Sequence, residues 1–145
     1  MVLADKVRAA KRVYLCGNGG SYANAVHICN DLLACGIKAY TLDPATLTAT
    51  ANDFGYEHIF SKWLATVGEK SDLLIALSGS GKSRNILNAL AMADEIGMES
   101  VLISDHLQTM DMQRSEESQL EIGHELMRCL RDRQLRVGVG EEGIE

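Results

Sequence analysis

Two glycine- and serine-rich turns carry most of the chemistry that this sequence indicates. The first is Gly17-Asn18-Gly19-Gly20-Ser21, which follows the apolar run Val13–Cys16, and the second is Ser78-Gly79-Ser80-Gly81-Lys82-Ser83, which follows the apolar run Leu73–Leu77. A helical pattern comes after each turn. Backbone N–H groups at a helix N-terminus form a site for an anion, and serine hydroxyls add further donors. The pair of turns therefore predicts a phosphorylated ligand at the strand ends of a parallel sheet. For either turn alone, a tight connection without a ligand is the alternative.

Neither turn is typical of a nucleotide site. The first lacks the G-x-G-x-x-G pattern because position 22 is Tyr22, and the second ends in Gly-Lys-Ser but has Ala76 where a P-loop needs glycine. We therefore expect a phosphate monoester on a small molecule and no nucleotide cofactor. Lys82 and Arg84 either add charge near the phosphate or form a solvated first helical turn. The Ser83 hydroxyl could cap the helix, bind the ligand, or do both.

Composition limits the possible partners and the domain count. The chain has 145 residues, which fits a single domain over 1–145. Its formal net charge of −6 argues against nucleic acid as a partner. We expect no membrane span and no secretory leader, because no sufficiently long apolar run is present. The four cysteines lack metal-type spacing, so we expect a reducing cytoplasm and no disulfides.

Strand and helix patterns alternate along the chain. Strands are predicted at 13–16, 38–42, 73–77 and 101–104, and helices at 3–11, 22–34, 46–52, 58–67, 83–96 and 115–135. Residues 136–145 are predicted to form a loose tail. Such alternation is typical of an α/β domain, a three-layer α-β-α sandwich with a parallel sheet.

One pair of possible catalytic side chains lies on a predicted helix. His27 and Asp31 are spaced i, i+4 and share one helix face. For His27 and His124, a structural or surface role is the alternative to a catalytic one; His58 and His106 are interpreted as structural.

The motifs together resemble the sugar isomerase (SIS) domain family. The resemblance rests on Gly17–Ser21, His27, Asn52-Asp53-Phe54-Gly55-Tyr56, Ser78–Ser83 and His124, in that order. It covers about 12–105 and 116–130 and is strongest for the phosphoheptose isomerases, which interconvert sedoheptulose 7-phosphate and a heptose 7-phosphate. It implies a flavodoxin-like or Rossmann-like fold and an aldose–ketose isomerase that works through an enediol. It also implies a homo-oligomer, a tetramer or dimer, with active sites between subunits.

The resemblance also implies roles for individual residues. Asp31 takes the position of the family's catalytic Glu, and His124 that of its catalytic His. The implied substrate-binding residues are Asn18, Gly19, Gly20, Ser21, Asn52, Asp53, Ser78, Gly79, Ser80, Ser83 and Glu116. The implied ligands of a zinc ion are His27, Asp31, Glu116 and His124, a nitrogen and oxygen set that would also accept nickel or iron. Glu116 and His124 are eight residues apart, about 12 Å along a helix, so they could share an ion only if both side chains lean inward or come from different subunits. For Asn52 and Asp53 a plain turn is the alternative.

Several positions depart from the family pattern. Asp31 replaces Glu, Glu116 replaces Gln, and Gly79 stands where Thr is frequent. Only 106–114 fills the gap before the last helix, where the family has a fifth strand. The alternative to an enzyme is therefore a non-catalytic SIS module that binds a sugar phosphate or a protein partner. His124 and a carboxylate at position 31 favour the enzyme.

Overall fold

The sheet has four parallel strands in the order β2-β1-β3-β4. This computed structural model describes residues 1–104 and 111–138. The strands are β1 (Val13–Cys16), β2 (Ala39–Thr41), β3 (Leu73–Leu77) and β4 (Glu99–Ile103). All residues of β1 and β3 are buried, as expected for central strands covered on both faces.

Helices cover both faces of this sheet. They are α1 (Val2–Ala9), α2 (Gly20–Ala34), α3 (Pro44–Phe54), α4 (Ile59–Val67), α5 (Arg84–Ile96) and α6 (Met112–Gly138), with a 3₁₀ turn at Tyr56–His58. One apolar core joins the sheet to α1, α2 and α6. The other joins it to α4 and α5. The predicted three-layer α-β-α sandwich is therefore confirmed.

Helix ends differ most from the sequence expectation. The third helix is longer than predicted because Asp43 caps it: Asp43 Oδ1 accepts from the N–H groups of Ala45 at 2.7 Å and Thr46 at 3.3 Å. Pro44 then occupies the first turn. The last helix extends to Gly138. The start of the predicted loose tail, 136–138, is therefore helical, and 139–145 lies outside the described residues.

The strand order places both glycine turns beside one crevice. The chain leaves β1 toward β2 on one side and leaves β3 toward β4 on the other side. The connections that follow β1 and β3 therefore diverge, which opens a crevice at the carboxyl ends of these two strands. Ligands of flavodoxin-like folds bind at this switch point.

An ion pair fixes the opposite end of the same two strands. The Arg12 guanidinium donates to both carboxylate oxygens of Asp72, at 3.1 and 3.2 Å. The Asp72 side chain is fully buried and also accepts from the Glu69 N–H group at 2.8 Å. These bonds raise the pKa of Arg12 above its usual value. They hold the start of β3 against the start of β1, away from the crevice.

Buried cysteines contribute to the two cores. Cys16 is fully buried at the end of β1, and burial raises the pKa of its thiol to about 12. The thiol therefore stays protonated and packs as a small apolar group. In the part of the chain that the structure covers, no helix has both the length and the apolar character needed to cross a membrane.

Two glycines let α2 and α6 pack closely. A Cβ at Gly123 of α6 would lie 2.5 Å from Ile28 Cγ1, and Ile28 is buried in the core. A Cβ at Gly20 of α2 would overlap the Glu116 carboxylate. At each of these two places, a glycine of one helix leaves room for a side chain of the other helix.

Gly123→Ala should test this close contact. Alanine in a helix interior ordinarily stabilises by about 1 kcal/mol relative to glycine. Here we expect the opposite sign, a loss of about 1 kcal/mol or more in the free energy of unfolding, because the added methyl overpacks against Ile28. Urea denaturation measures the change, and the exposed Ser118→Ala on the same helix is the control. A Gly123→Ala protein as stable as that control would contradict the tight packing.

Candidate active site

The first glycine turn forms one wall of a cradle at the switch point. A Cβ at Gly17 would lie 2.7 Å from the main chain of Ser21, so the turn is compact. Gly19 has φ +55°, a conformation that other residues rarely adopt. The helix α2 begins immediately afterwards, and Ser21 in its first turn is 3% exposed.

The second glycine turn forms the facing wall. Ser78 Oγ accepts from the Gly81 N–H group, and Ser80 Oγ accepts from the Lys82 N–H group, both at 3.1 Å. Ser83 precedes α5, but its side chain makes no capping hydrogen bond. Of the roles that the sequence left open for this hydroxyl, ligand binding therefore remains available.

A cavity of about 50 Å³ joins the two turns. It is lined by Asn18, Ser21, Leu77, Ser78, Gly79, Ser80, Ser83 and Met112. All four serines that the sequence predicts to bind phosphate therefore line one cavity: Ser21, Ser78, Ser80 and Ser83. The donors around it and the starts of α2 and α5 suit an anion.

A wider cavity of about 570 Å³ adjoins the cradle through shared residues. Its lining consists of Asn18, Tyr56, Glu57, Ser83, Arg84 and Asn85. Asn18 and Asn85 exchange two hydrogen bonds of 2.8 Å, and the Tyr56 hydroxyl donates to Asn18 Oδ1 at 2.7 Å. Arg84 and Lys82 are both exposed, and of the two only Arg84 lines one of these cavities. Sequence reasoning missed Tyr56 and Asn85, whose partners come from distant parts of the chain.

Two imidazoles and one carboxylate lie close together where α2 contacts α6. His27 Nε2 lies 3.2 Å from His124 Nε2 and 3.5 Å from Asp31 Oδ2. One ligand atom from each residue fits within 4.8 Å of the others. The i, i+4 spacing brings His27 and Asp31 together, and the close contact at Gly123 brings the neighbouring His124 to them.

Burial leaves one oxygen of the Asp31 carboxylate without a hydrogen bond. Asp31 is 9% exposed, and its Oδ2 atom makes no hydrogen bond. A buried carboxylate without such a partner is costly unless a positive charge lies nearby. A divalent cation between Asp31 and the two imidazoles would supply that charge, and the donor set suits zinc. The residues present therefore fit a metal ion.

Glu116 lies apart from this group. Its carboxylate packs on Gly20 at the start of α2, near the cradle. His124 is two helical turns further along α6, as the eight-residue spacing requires. Of the four predicted metal ligands, the structure therefore brings together His27, Asp31 and His124 and leaves Glu116 beside the cradle.

The remaining predicted residues lie elsewhere. Asn52 and Asp53 are exposed in the last turn of α3, and Asn52 Nδ2 donates to Asp53 Oδ1 at 3.0 Å. They belong to a helix rather than a turn, and neither lines the two cavities described above. His58 lies 3.6 Å from Glu57. His106 lies outside the described residues.

Polar side chains also fill the contact between α2 and α6 beside the cradle. Gln119 is 2% exposed; its Nε2 donates to Ser21 Oγ at 3.0 Å, and its Oε1 accepts from Asn24 at 3.1 Å. Ser115 is 4% exposed, has an unpartnered hydroxyl, and packs on Gly79. Sequence reasoning missed them, although Ser115 and Gln119 lie on the same face of α6 as the partly buried Ile122 and the buried Leu126, at i, i+4, i+7 and i+11 spacing.

Known sequences identify the family. The profile of the SIS domain matches residues 1–104. A phosphoheptose isomerase of Akkermansia muciniphila is 39% identical over 111 residues, which is 71% of this chain and 59% of that protein. One from Histophilus somni is 36% identical over 111 residues, 72% of this chain and 57% of that protein. The chain thus matches somewhat more than half the length of these relatives.

Solved structures give the same result. A phosphoheptose isomerase from Francisella tularensis superposes with a TM-score of 0.82 at 28% identity, over 90% of this chain and 83% of the other. The corresponding enzyme from Neisseria gonorrhoeae has a TM-score of 0.80 at 25% identity, over 90% of this chain and 82% of the other. Sequence profile, relatives and fold agree: this chain belongs to the SIS domain family.

Proposed function

We propose that this chain is an aldose–ketose isomerase of sugar phosphates with sedoheptulose 7-phosphate as substrate. One observation carries the proposal: α2 begins at an anion cradle and, further along, presents His27 and Asp31 to His124. A phosphate anchor and a group of proton-transferring side chains thus lie on one helix. The relatives named phosphoheptose isomerase support the choice of substrate.

The spacing along α2 favours a long substrate. Ser21 and His27 are six residues apart, about 9 Å along the helix axis, and Asp31 lies one further turn away. A sugar held by its phosphate at Ser21 must extend over that distance to place its carbonyl end near His27, Asp31 and His124, hereafter the triad. A seven-carbon 7-phosphate meets this requirement better than a triose phosphate, whose carbonyl lies close to its phosphate.

The chemistry needs a base and a second proton carrier. We assign Asp31 to remove the proton from C1 of the ketose and return it to C2, which passes through an enediol. His124 would carry the hydroxyl proton between the two oxygens, a role suited to imidazole near neutral pH. The two side chains lie on the same side of the α2 and α6 contact, so both can reach adjacent carbons of one substrate.

His27, Asp31 and His124 would hold a zinc ion. Bound there, zinc would polarise the sugar carbonyl as a Lewis acid. A carboxylate has two oxygens, so Asp31 can offer one to the ion while the other accepts a proton. An imidazole has two ring nitrogens, so His124 would hold the ion through one and carry the hydroxyl proton on the other. His27 would act only as a ligand, and it lies on the same face of α2 as Asp31.

We also propose that the enzyme is cytoplasmic and oligomeric. Val26 and Leu33 of α2 are 43% and 54% exposed, and they are spaced i, i+7 on one helix face. A second copy of this chain could cover that apolar stripe. The stripe runs beside the triad on the same helix, so association would also enclose the reacting end of the substrate.

Removal of cradle hydroxyls should weaken phosphate binding. Ser83→Ala deletes a hydroxyl that makes no capping bond, so its loss should leave α5 intact. We expect a loss of about 1.5–3 kcal/mol in binding free energy for sedoheptulose 7-phosphate, and a larger loss for Ser78→Ala with Ser80→Ala. Isothermal titration calorimetry measures the affinity. Ser71→Ala, exposed at the other end of the sheet, is the control, and equal affinity in all variants would place the phosphate elsewhere.

Metal content should follow the triad and not Glu116. We expect zinc in the purified protein, and its loss in the variant that combines His27→Ala with His124→Ala. Glu116→Gln should retain it, because the Glu116 carboxylate lies against Gly20. Inductively coupled plasma mass spectrometry after zinc loading and gel filtration gives the stoichiometry. Zinc absent from the parent, or lost with Glu116→Gln, would overturn the three-residue site.

Asp31→Asn should abolish isomerisation and leave phosphate binding within about threefold of the parent, since the cradle lies more than two helical turns away. Asp31→Glu restores the carboxylate and should retain turnover. Turnover is measured by following aldose formation from sedoheptulose 7-phosphate, and zinc content is measured on the same samples to separate the roles of base and ligand.

The same assay separates an enzyme from a binding module. Full turnover by Asp31→Asn would move the base to another residue. Tight binding of sedoheptulose 7-phosphate without turnover by the parent, with and without added zinc, would instead assign the chain to the non-catalytic SIS modules.

A further inference from the structure

We propose that Gln119 and Asn24 are positioning residues that orient the Ser21 hydroxyl toward the phosphate; this inference rests on the proposed function of the cradle. Neither residue lines the cavity. Both belong to a short chain of hydrogen bonds that runs from the backbone of α6 to Ser21. The chemistry of the groups determines which one donates and which one accepts in each of these hydrogen bonds.

The first step fixes the Asn24 amide. Asn24 Nδ2 lies 2.8 Å from the backbone carbonyl oxygen of Glu116. A carbonyl oxygen can only accept, so the amide nitrogen of Asn24 must face it. The same NH₂ group has a second hydrogen and lies 3.1 Å from Oε1 of Gln119. The side chain of Gln119 is therefore an acceptor at that end.

The second step fixes Gln119 and then Ser21. Because the Gln119 oxygen faces Asn24, its NH₂ group faces Ser21, and Nε2 donates to Ser21 Oγ at 3.0 Å. Ser21 is thereby an acceptor on the side of α6. A serine hydroxyl has one proton, and Ser21 lines the cradle cavity. That proton is left for an oxygen atom in the cavity, which is the polarity that a phosphate requires.

Burial makes this arrangement hard to reverse. Gln119 is 2% exposed and Ser21 is 3% exposed, so bulk water has little access to the hydrogen bond between them. Each reversal would leave a buried donor facing a donor, or an acceptor facing an acceptor, which is costly. The hydroxyl is thus oriented before the ligand arrives, and the ligand need not pay for its ordering.

Gln119→Glu tests the inference with a side chain of nearly the same shape. A carboxylate at position 119 accepts from both neighbours, so the Ser21 proton turns toward α6 and away from the cavity. We expect the dissociation constant and the KM for sedoheptulose 7-phosphate to rise roughly tenfold or more, with kcat within about threefold, because the triad is untouched. Asn24→Asp should act in the same direction, since Gln119 must then rotate its amide and accept from Ser21.

Two controls separate orientation from charge and from folding. Gln113→Glu adds the same charge on an exposed part of α6 and should leave affinity unchanged. In a Ser21→Ala background the effect of Gln119→Glu should largely vanish, because no hydroxyl remains to be turned. Urea midpoints show whether each variant is folded, and Asn24→Asp replaces Gln119→Glu if the latter does not fold.

The outcomes are distinct. An affinity loss that depends on Ser21 supports the positioning role. Affinity equal to that of Gln113→Glu, or a loss of the same size without the Ser21 hydroxyl, overturns it while the proposed function stands. Failure of the parent to bind sedoheptulose 7-phosphate in calorimetry overturns the proposed function and this inference with it.

Discussion

The close packing of α2 against α6 is the contact on which both halves of the site depend. Gly20 and Gly123 remove a side chain where the opposite helix places Glu116 and Ile28. Protein interiors are packed to crystal-like density, so helices this close have little freedom to slide. At one end the contact lets α6 reach the cradle, and at the other it places His124 beside His27. A displacement of α6 would therefore alter recognition and chemistry together.

In the proposed function, the cradle would recognise an anion mainly with neutral groups. The chain is acidic overall, with a formal net charge of −6, and Lys82 in the second turn is exposed. The donors are backbone N–H groups at two helix starts and hydroxyls that are wholly or partly buried, such as Ser21 and Ser78. Hydrogen bonds from such groups to a charged acceptor are stronger than bonds between neutral groups. Their fixed directions, rather than a mobile cation, would define where the phosphate sits.

Sequence patterns predicted the parts of this site that depend on local spacing. The strands Val13–Cys16 and Leu73–Leu77 and the turns after them follow from short-range signals, and the three-layer fold follows from their alternation. Patterns did not place Glu116, because its partner Gly20 lies far away in sequence and the contact depends on a missing Cβ. The Asn24 and Gln119 pair is likewise a product of how two helices meet. Only the polar residues within the buried stripe of α6 hinted at it.

The substitution of aspartate for glutamate at position 31 makes geometric sense in this packing. By resemblance, Asp31 takes the position of the catalytic Glu of the SIS domain family. Its side chain is one methylene shorter than glutamate, so its oxygens stay close to the axis of α2. The gap at Gly123 lets α6 approach that axis, and His124 then lies near enough for its ligand atom to share a 4.8 Å group with Asp31 and His27. A shorter carboxylate thus remains compatible with proton transfer or metal binding provided that the helices stay close. The same constraint bears on the burial of Asp31: His27 lies 3.5 Å from its carboxylate on the same helix, and the packing of α6 adds His124 to the group.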